Sequence, residues 1–291
     1  MRPILVPVDF STPSANAARY AVHLSKNIKS NLILCHSFFV PADPVGGQLS
    51  WPLYEYSTLE DICIEQLEGL AKKLEITDQS ISSPNSFHPA IFCSAVAGGA
   101  YDMLNKLIHE KKAGMIIMGM SGSGAISRFF LGSVSRQTIE HAECPVLLVP
   151  SECKFRGIKK IALATDLSSS DVDVILSLAA LADHLDADLV VTNITDEFHD
   201  TPENYEKSED FIKKLANKNK YDRIYYRQVR NEDIDEGLDW LIENGKIDLL
   251  AMVHRQKGLF SRMFTGSHTK KLANHISLPL LVFPDGKKFE F

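Results

Sequence analysis

Short apolar runs alternate with longer segments whose apolar residues recur at helical spacing, and this alternation spans the whole chain. In the first half the runs predict strands near Pro3–Val8, Leu32–His36, Ala90–Ala95, Met115–Gly119 and Val146–Val149. Helices are predicted between them at Ser14–Ile28, Leu59–Leu74, Ala100–Lys111 and Ser133–His141. The second half predicts strands near Lys160–Thr165, Leu189–Asn193, Ile224–Val229, Leu249–Val253 and Leu280–Phe283. Its helices fall near Val172–His184, Asn204–Ala216, Ile234–Asn244 and Ser267–His275. Local signals agree. Ser11-Thr-Pro13 offers a cap followed by a helix-starting proline. Ser168-Ser-Ser-Asp171 offers cap residues and an acidic first turn, and Gly245 stands where a C-cap glycine would. Leu59, Ile62, Leu67, Leu70 and Leu74 form one helical stripe, read as core.

The two halves are copies. Ile4-Leu-Val-Pro-Val-Asp9-Phe-Ser11 returns 157 residues later as Ile161-Ala-Leu-Ala-Thr-Asp166-Leu-Ser168. Further on the offset is 134: Phe130-x-Gly132-Ser133 matches Phe264-x-Gly266-Ser267, and His141-x-x-x-Pro145 matches His275-x-x-x-Pro279. The offsets differ by 23 residues, lost from the second copy between its second and third strands. There the first copy is rich in breakers such as Pro41, Pro44, Gly46, Gly47 and Pro52, and surface connections tolerate such deletions.

Alternating elements with near-continuous apolar strands predict, in each copy, a doubly wound parallel α/β sheet with helices on both faces. Ligands of such folds bind beyond the C-terminal strand ends, where the strand order reverses. A flavodoxin-like order places Asp9, ending the first strand, beside Gly119, ending the fourth.

Composition narrows the partners. The net charge of −6 over 291 residues argues against a nucleic-acid-binding role. No run approaches the roughly 18 apolar residues of a membrane span. The N-terminus runs straight into a strand without a signal-peptide apolar region. Five cysteines, odd in number and without C-x-x-C pairing, read as reduced thiols of a cytoplasmic protein. The histidines are scattered, and no Cys/His spacing supports a metal site.

The candidate chemistry lies in Gly119, Gly122, Gly132 and Ser133, a G-x2-G-x9-G-S pattern between a buried-strand signal and a helix start. Glycines after a strand let backbone N–H groups approach an anion, and a helix N-terminus favours negative charge. Plain readings stand beside this one. Asp9 could cap the first helix, Gly122 and Gly124 could be ordinary loop glycines, Ser133 could be an N-cap without a ligand, and Arg128 and Arg262 could be solvated. No Walker A motif, H-E-x-x-H or G-x-S-x-G occurs, and the dinucleotide fingerprint fails at Ser127. No residue set for acid–base catalysis stands out beyond Asp9, so the chain reads as a binder rather than an enzyme.

At this point the residues resemble a known family. Ile4-Leu-Val-Pro-Val-Asp9-Phe-Ser11, Met118-Gly-x-x-Gly122-x9-Gly132-Ser-Val-Ser135 and Cys144-Pro-Val-Leu-Leu-Val-Pro150 are similar to the opening strand, the ATP-binding signature and the last strand of the universal stress protein family. The resemblance covers the chain as a tandem member, with domains over 1–151 and 156–287. It implies five-stranded sheets of order 3-2-1-4-5, flavodoxin-like and similar to the adenine-nucleotide α-hydrolases, paired antiparallel within one chain through Val146–Val149 and Leu280–Phe283. It implies ATP, with accompanying Mg left open and at most slow hydrolysis, and a regulatory role in the stress response through a protein partner not named by the sequence; a further homodimer is left open. Carried over by position, Pro7, Val8 and Asp9 line the adenine and ribose side, and Ser37 offers backbone contacts to the base. Met118 and Gly119 flank the ribose and phosphates, and Gly122, Gly132, Ser133, Val134 and Ser135 wrap the phosphates.

The second copy departs from the pattern. Val253 stands at the position of Gly119 and Gln256 at that of Gly122, while Asp166, Gly266 and Ser267 remain. A valine where a positive φ is needed costs about 1–2 kcal/mol. The expectation is one competent site per chain, in the N-terminal domain, with the second domain as structural partner. His254, Arg255, Lys257 and His268 could accept another anion, but read first as a solvated polar loop. Competing readings are a nucleotide-free scaffold and an enzyme acting on a small phosphorylated metabolite.

Overall fold

The computed structural model describes residues 1–40, 56–81, 86–122, 129–130, 132–195, 202–218, 221–231, 234–255 and 278–291. The predicted helix at Ser267–His275, and Gly124, Arg128, Gln256, Lys257, Arg262, Gly266, Ser267 and His268, lie outside these residues.

In chain order the first half runs β1 (Ile4–Pro7), α1 (Thr12–Ile28), β2 (Leu32–Phe38), α2 (Tyr56–Ile81), β3 (Ile91–Ala97), α3 (Ala100–Lys111), β4 (Met115–Gly122), β5 (Phe129–Phe130), α4 (Ser133–His141) and β6 (Val146–Pro150). The second runs β7 (Lys160–Thr165), α5 (Asp171–Leu185), β8 (Asp188–Thr195), α6 (Pro202–Lys218), β9 (Ile224–Arg230), α7 (Ile234–Asn244), β10 (Leu249–His254) and β11 (Leu280–Pro284). The strands form one sheet in the order β3-β2-β1-β4-β6-β11-β10-β7-β8-β9. Each half is therefore wound 3-2-1-4-5, with all neighbours parallel. The halves meet where β6 and β11 pair antiparallel, Leu147 opposite Leu281. Both strands are apolar and would be aggregation-prone edges if left open.

Strand residues alternate between two cores. Ile4, Val6 and Val8 pack with Leu24 of α1, Leu67 of α2, Leu178 of α5 and Phe211 of α6. Leu5 and Ile116 face the other way, with Leu104 and Leu107 of α3, Ile139 of α4 and Leu241 of α7. On α2 the buried stripe is Cys63, Leu67, Ala71 and Leu74, while Ile62 is exposed, which corrects its assignment to the core. β5 was not expected. Two residues give no periodicity to read, yet they pair antiparallel with the end of β4, Ser121 opposite Phe130 and Gly122 opposite Phe129.

The likeness of the halves continues into the segments after their last strands. Lys154-Phe155 recurs as Lys288-Phe289, again at an offset of 134. The Phe155 ring meets the Tyr20 ring of α1 edge-on at 5.0 Å, and the Phe289 N–H donates to Ser177 Oγ of α5 at 2.8 Å. Tyr20 and Ser177 are themselves 157 residues apart. The side-chain amide of Asn16 also donates to the Pro150 and Cys153 carbonyls, at 3.0 and 2.9 Å, fastening the connecting segment to α1. All five cysteines are free thiols. Among the described residues no helix is long and apolar enough to cross a membrane.

Candidate functional site

The crossover from β1 leads outward to β2 and that from β4 leads to β6, so the strand order reverses between β1 and β4. Ile4 pairs with Met115 and Leu5 with Ile116; continued, this register sets Val8 across from Gly119. Gly119 has a steric reason to be glycine. A Cβ there would lie 2.4 Å from the Pro13 carbonyl oxygen and 2.9 Å from the Ser14 nitrogen. The first turn of α1 thus rests directly on the β4 backbone. Neither Gly119 nor Val253 has a positive φ, so the expected conformational cost of Val253 does not arise; clearance, not φ, is what Gly119 supplies.

At the end of β1 the chain makes a tight turn. The Asp9 carboxylate accepts from the Ser11 N–H at 3.0 Å and from the Ser11 hydroxyl. Ser11, not Asp9, is the N-cap of α1, its oxygen accepting from the Ser14 N–H. Phe10 between them takes φ 60°, the left-handed region that costs a non-glycine residue about 1–2 kcal/mol. Partial burial opposes ionisation of Asp9, but hydrogen bonds from Ser11 and Ser14 outweigh it and hold its carboxyl below the usual range. A folded pKa below the unfolded one stabilises the fold above the unfolded value and loses that contribution as pH falls through the folded value. The melting temperature of Asp9→Asn is therefore expected to lie below wild type at neutral pH, with the gap closing below about pH 4.

The end of β2 braces the same turn. His36 Nδ1 lies 2.6 Å from the Val8 carbonyl oxygen, and the Val8 N–H donates to the Cys35 carbonyl at 2.8 Å. Ser37, next along, is half-buried. The side chains of Val8 and Met118 are buried in the two cores, so these residues form the floor of the crevice.

The start of α4 follows β5 closely in the chain. Gly132 is the N-cap, which corrects the reading of Ser133 as the cap; Ser133, Val134 and Ser135 form the first turn. The turn carries no side-chain cap, and the first intrahelical bond runs from the Arg136 N–H to the Gly132 carbonyl at 3.0 Å. The Ser133, Val134 and Ser135 amides thus face out of the helix end without intrahelical acceptors. The β4–β5 ladder turns the chain back along β4, so this helix start returns toward the crevice.

The second half builds the same frame and fills it. Leu167 repeats the left-handed turn of Phe10 at φ 60°, and the Ser168 N–H donates to Asp166 at 3.3 Å. Asn193 donates to the Thr165 carbonyl at 2.9 Å, in the place of His36. The helix then starts later. Its N-cap is Ser170, two residues beyond Ser168, the counterpart of Ser11. Into the space comes Arg255, just past β10. Its guanidinium holds Asp166 at 2.9 Å, Asp285 at 3.0 Å and Asp171, and also donates to Ser170 Oγ at 2.9 Å. Asp171 is fully buried and also accepts from the Thr165 hydroxyl. Burial raises its carboxyl more than Arg255 and Thr165 lower it. Arg255 is therefore an internal cation, not part of a solvated loop.

The structure thus gathers Pro7, Val8, Asp9, Met118 and Gly119 at one strand-end crevice, with Ser37 on the neighbouring strand and Gly122, Gly132, Ser133, Val134 and Ser135 on the β4 extension and the following helix start. Sequence reasoning missed Phe10 and His36 and misread Arg255. An apolar residue repeated at both turns, and three aspartates matched to one arginine at the strand ends, were the available signals.

Comparison with known proteins adds the following. The model of the universal stress protein family matches residues 1–150 and again 157–284. A universal stress protein of Methanocaldococcus jannaschii is 28% identical over 149 residues, which are 50% of this chain and 80% of that protein. A 47-residue stretch is 49% identical to a universal stress protein of Staphylococcus aureus, 16% of this chain and 28% of that one. Among solved structures, a universal stress protein from Archaeoglobus fulgidus superposes with TM-score 0.71 at 15% identity, covering 97% of this chain and 98% of its own. A protein of unknown function from Pseudomonas aeruginosa superposes with TM-score 0.61 at 12% identity, covering 98% and 93%.

Proposed function

Since the chain belongs to the universal stress protein family along both halves, we propose that it is an ATP-binding regulatory protein with one nucleotide site, in its N-terminal half. The domains of this reading are 1–151, which carries the site, and 156–287, which serves as its structural partner. The observation that carries it is the contrast between two equivalent crevices. The first is framed by a free helix start and by a glycine where the backbone must come close; the second is occupied by Arg255 and three aspartates. The triphosphate lies at the amides of Ser133, Val134 and Ser135, where each favourable charge–dipole contact contributes about 0.3–1 kcal/mol. Gly122 and Gly132 bring the backbone close to it. Asp9, an acceptor when ionised, takes a ribose hydroxyl rather than a phosphate. Pro7 and Val8 line the base and ribose side, Met118 and Gly119 flank the ribose and phosphates, and Ser37 offers its backbone to the base. Binding orders the chain around the helix start and changes the surface offered to a protein partner; a role in the stress response follows from the family. Titration calorimetry with ATP is expected to give one site per chain. Two equivalent sites would remove the distinction between the halves, and no heat or binding at millimolar ATP would leave a nucleotide-free scaffold.

A further inference from the structure

One aromatic pair distinguishes the N-terminal crevice from its counterpart in the second half. The rings of Phe10 and His36 meet at 4.9 Å with their planes 52° apart, at the C-terminal ends of β1 and β2. The second half keeps the backbone of this corner but not the rings: Leu167 takes the same φ of 60°, and Asn193 makes the same bond to the preceding strand. The fold therefore needs a left-handed residue and a side-chain donor here, and needs neither ring. Phe10 is nonetheless 41% exposed, on a residue type that avoids both exposure and positive φ. Beyond β2, Phe39 and Val40 are exposed too, at 77% and 42%. His36 adds a polar element. A carbonyl only accepts, so Nδ1 carries the proton in its bond to Val8, and in the neutral ring Nε2 is left as an acceptor.

We infer that Phe10 and His36 are the base-recognition wall of the N-terminal crevice, Phe10 offering its ring to a purine and His36 an acceptor to the purine's exocyclic amine. This rests on the nucleotide reading above and names what selects the base. Adenine carries an amino donor where guanine carries a carbonyl oxygen. An acceptor at that edge favours the first and repels the second. Stacking on an aromatic face contributes about 1–3 kcal/mol per base, or roughly 5- to 150-fold in affinity.

The second half supplies variants that its own copy of the corner already tolerates, Phe10→Leu and His36→Asn. Calorimetry on the full chain would compare ATP, GTP and inorganic tripolyphosphate. The expected result is ATP bound more tightly than GTP by wild type. Phe10→Leu should weaken ATP by about fivefold or more with tripolyphosphate unchanged, and His36→Asn, which keeps the donor to Val8 but draws its remaining acceptor back from the position of Nε2, should bring ATP and GTP together. Unchanged ATP affinity in Phe10→Leu, or an equal loss of ATP and tripolyphosphate in either variant, overturns the inference while leaving the phosphate site standing. If wild type binds neither ATP nor tripolyphosphate, the nucleotide reading fails and the inference with it.

Discussion

Replacing Arg255 with alanine is expected to lower the stability of the second half by about 3–5 kcal/mol, the usual cost of stranding a buried charge by removing its partner. The Arg255 side chain is only 17% exposed, and the Asp171 side chain not at all. Asp171 would keep the Thr165 hydroxyl but lose its countercharge, with Asp166 and Asp285 still nearby. The loss should appear as a lower urea midpoint for this half. It should shrink as pH falls. A carboxyl whose folded pKa is raised takes up a proton on folding, so stability rises as pH drops through the raised value. Adding Asp171→Asn to Arg255→Ala should recover part of the loss, because the stranded charge is then gone. A variant within about 0.5 kcal/mol of wild type, the range of ordinary surface changes, would mean that Arg255 does not hold the crevice shut.

The second large effect is expected at Gly119. A Cβ at 2.4 Å from the Pro13 carbonyl oxygen meets backbone, which cannot swing aside as a side chain can. Gly119→Val should destabilise the first half by about 3 kcal/mol, the upper end of the usual cost of overpacking. It should also abolish ATP binding, because the first turn of α1 and the Asp9–Ser11 turn before it must retreat. Val253 stands at the equivalent place, and there α5 begins only at Asp171, after a longer turn. If Gly119→Val unfolds at the wild-type urea midpoint and keeps its ATP affinity, the close approach has no energetic consequence.

These two positions also show what a sequence discloses and what it withholds. The alternation of apolar runs with helical stripes was enough for the element order. The glycines and the repeat at offsets of 157 and 134 pointed to one strand-end crevice in each half. The strand order and the antiparallel joint came from the family resemblance, and the structure shows both. Local chemistry was harder. Gly119 was legible as glycine but not for the right reason, because its neighbour Pro13 is distant in sequence and only the packing of α1 on β4 brings it near. Arg255 was misread because its partners Asp166, Asp171 and Asp285 come from three separate segments. Ile62 fell on the apolar stripe of α2 but off the face that β2 and β3 cover. β5 was too short for any pattern. Phe10 looked like an ordinary apolar residue until its left-handed backbone and its contact with His36 placed it at the mouth of the crevice.

Hydrogen–deuterium exchange of the full chain with and without saturating ATP reads out which half the nucleotide touches. Exchange should slow at Gly132–Ser135 and around Asp9–Ser11, with Thr165–Asp171 and Arg255 unchanged if one site lies in the N-terminal half. Protection centred on the second half, or spread equally over both, would contradict it.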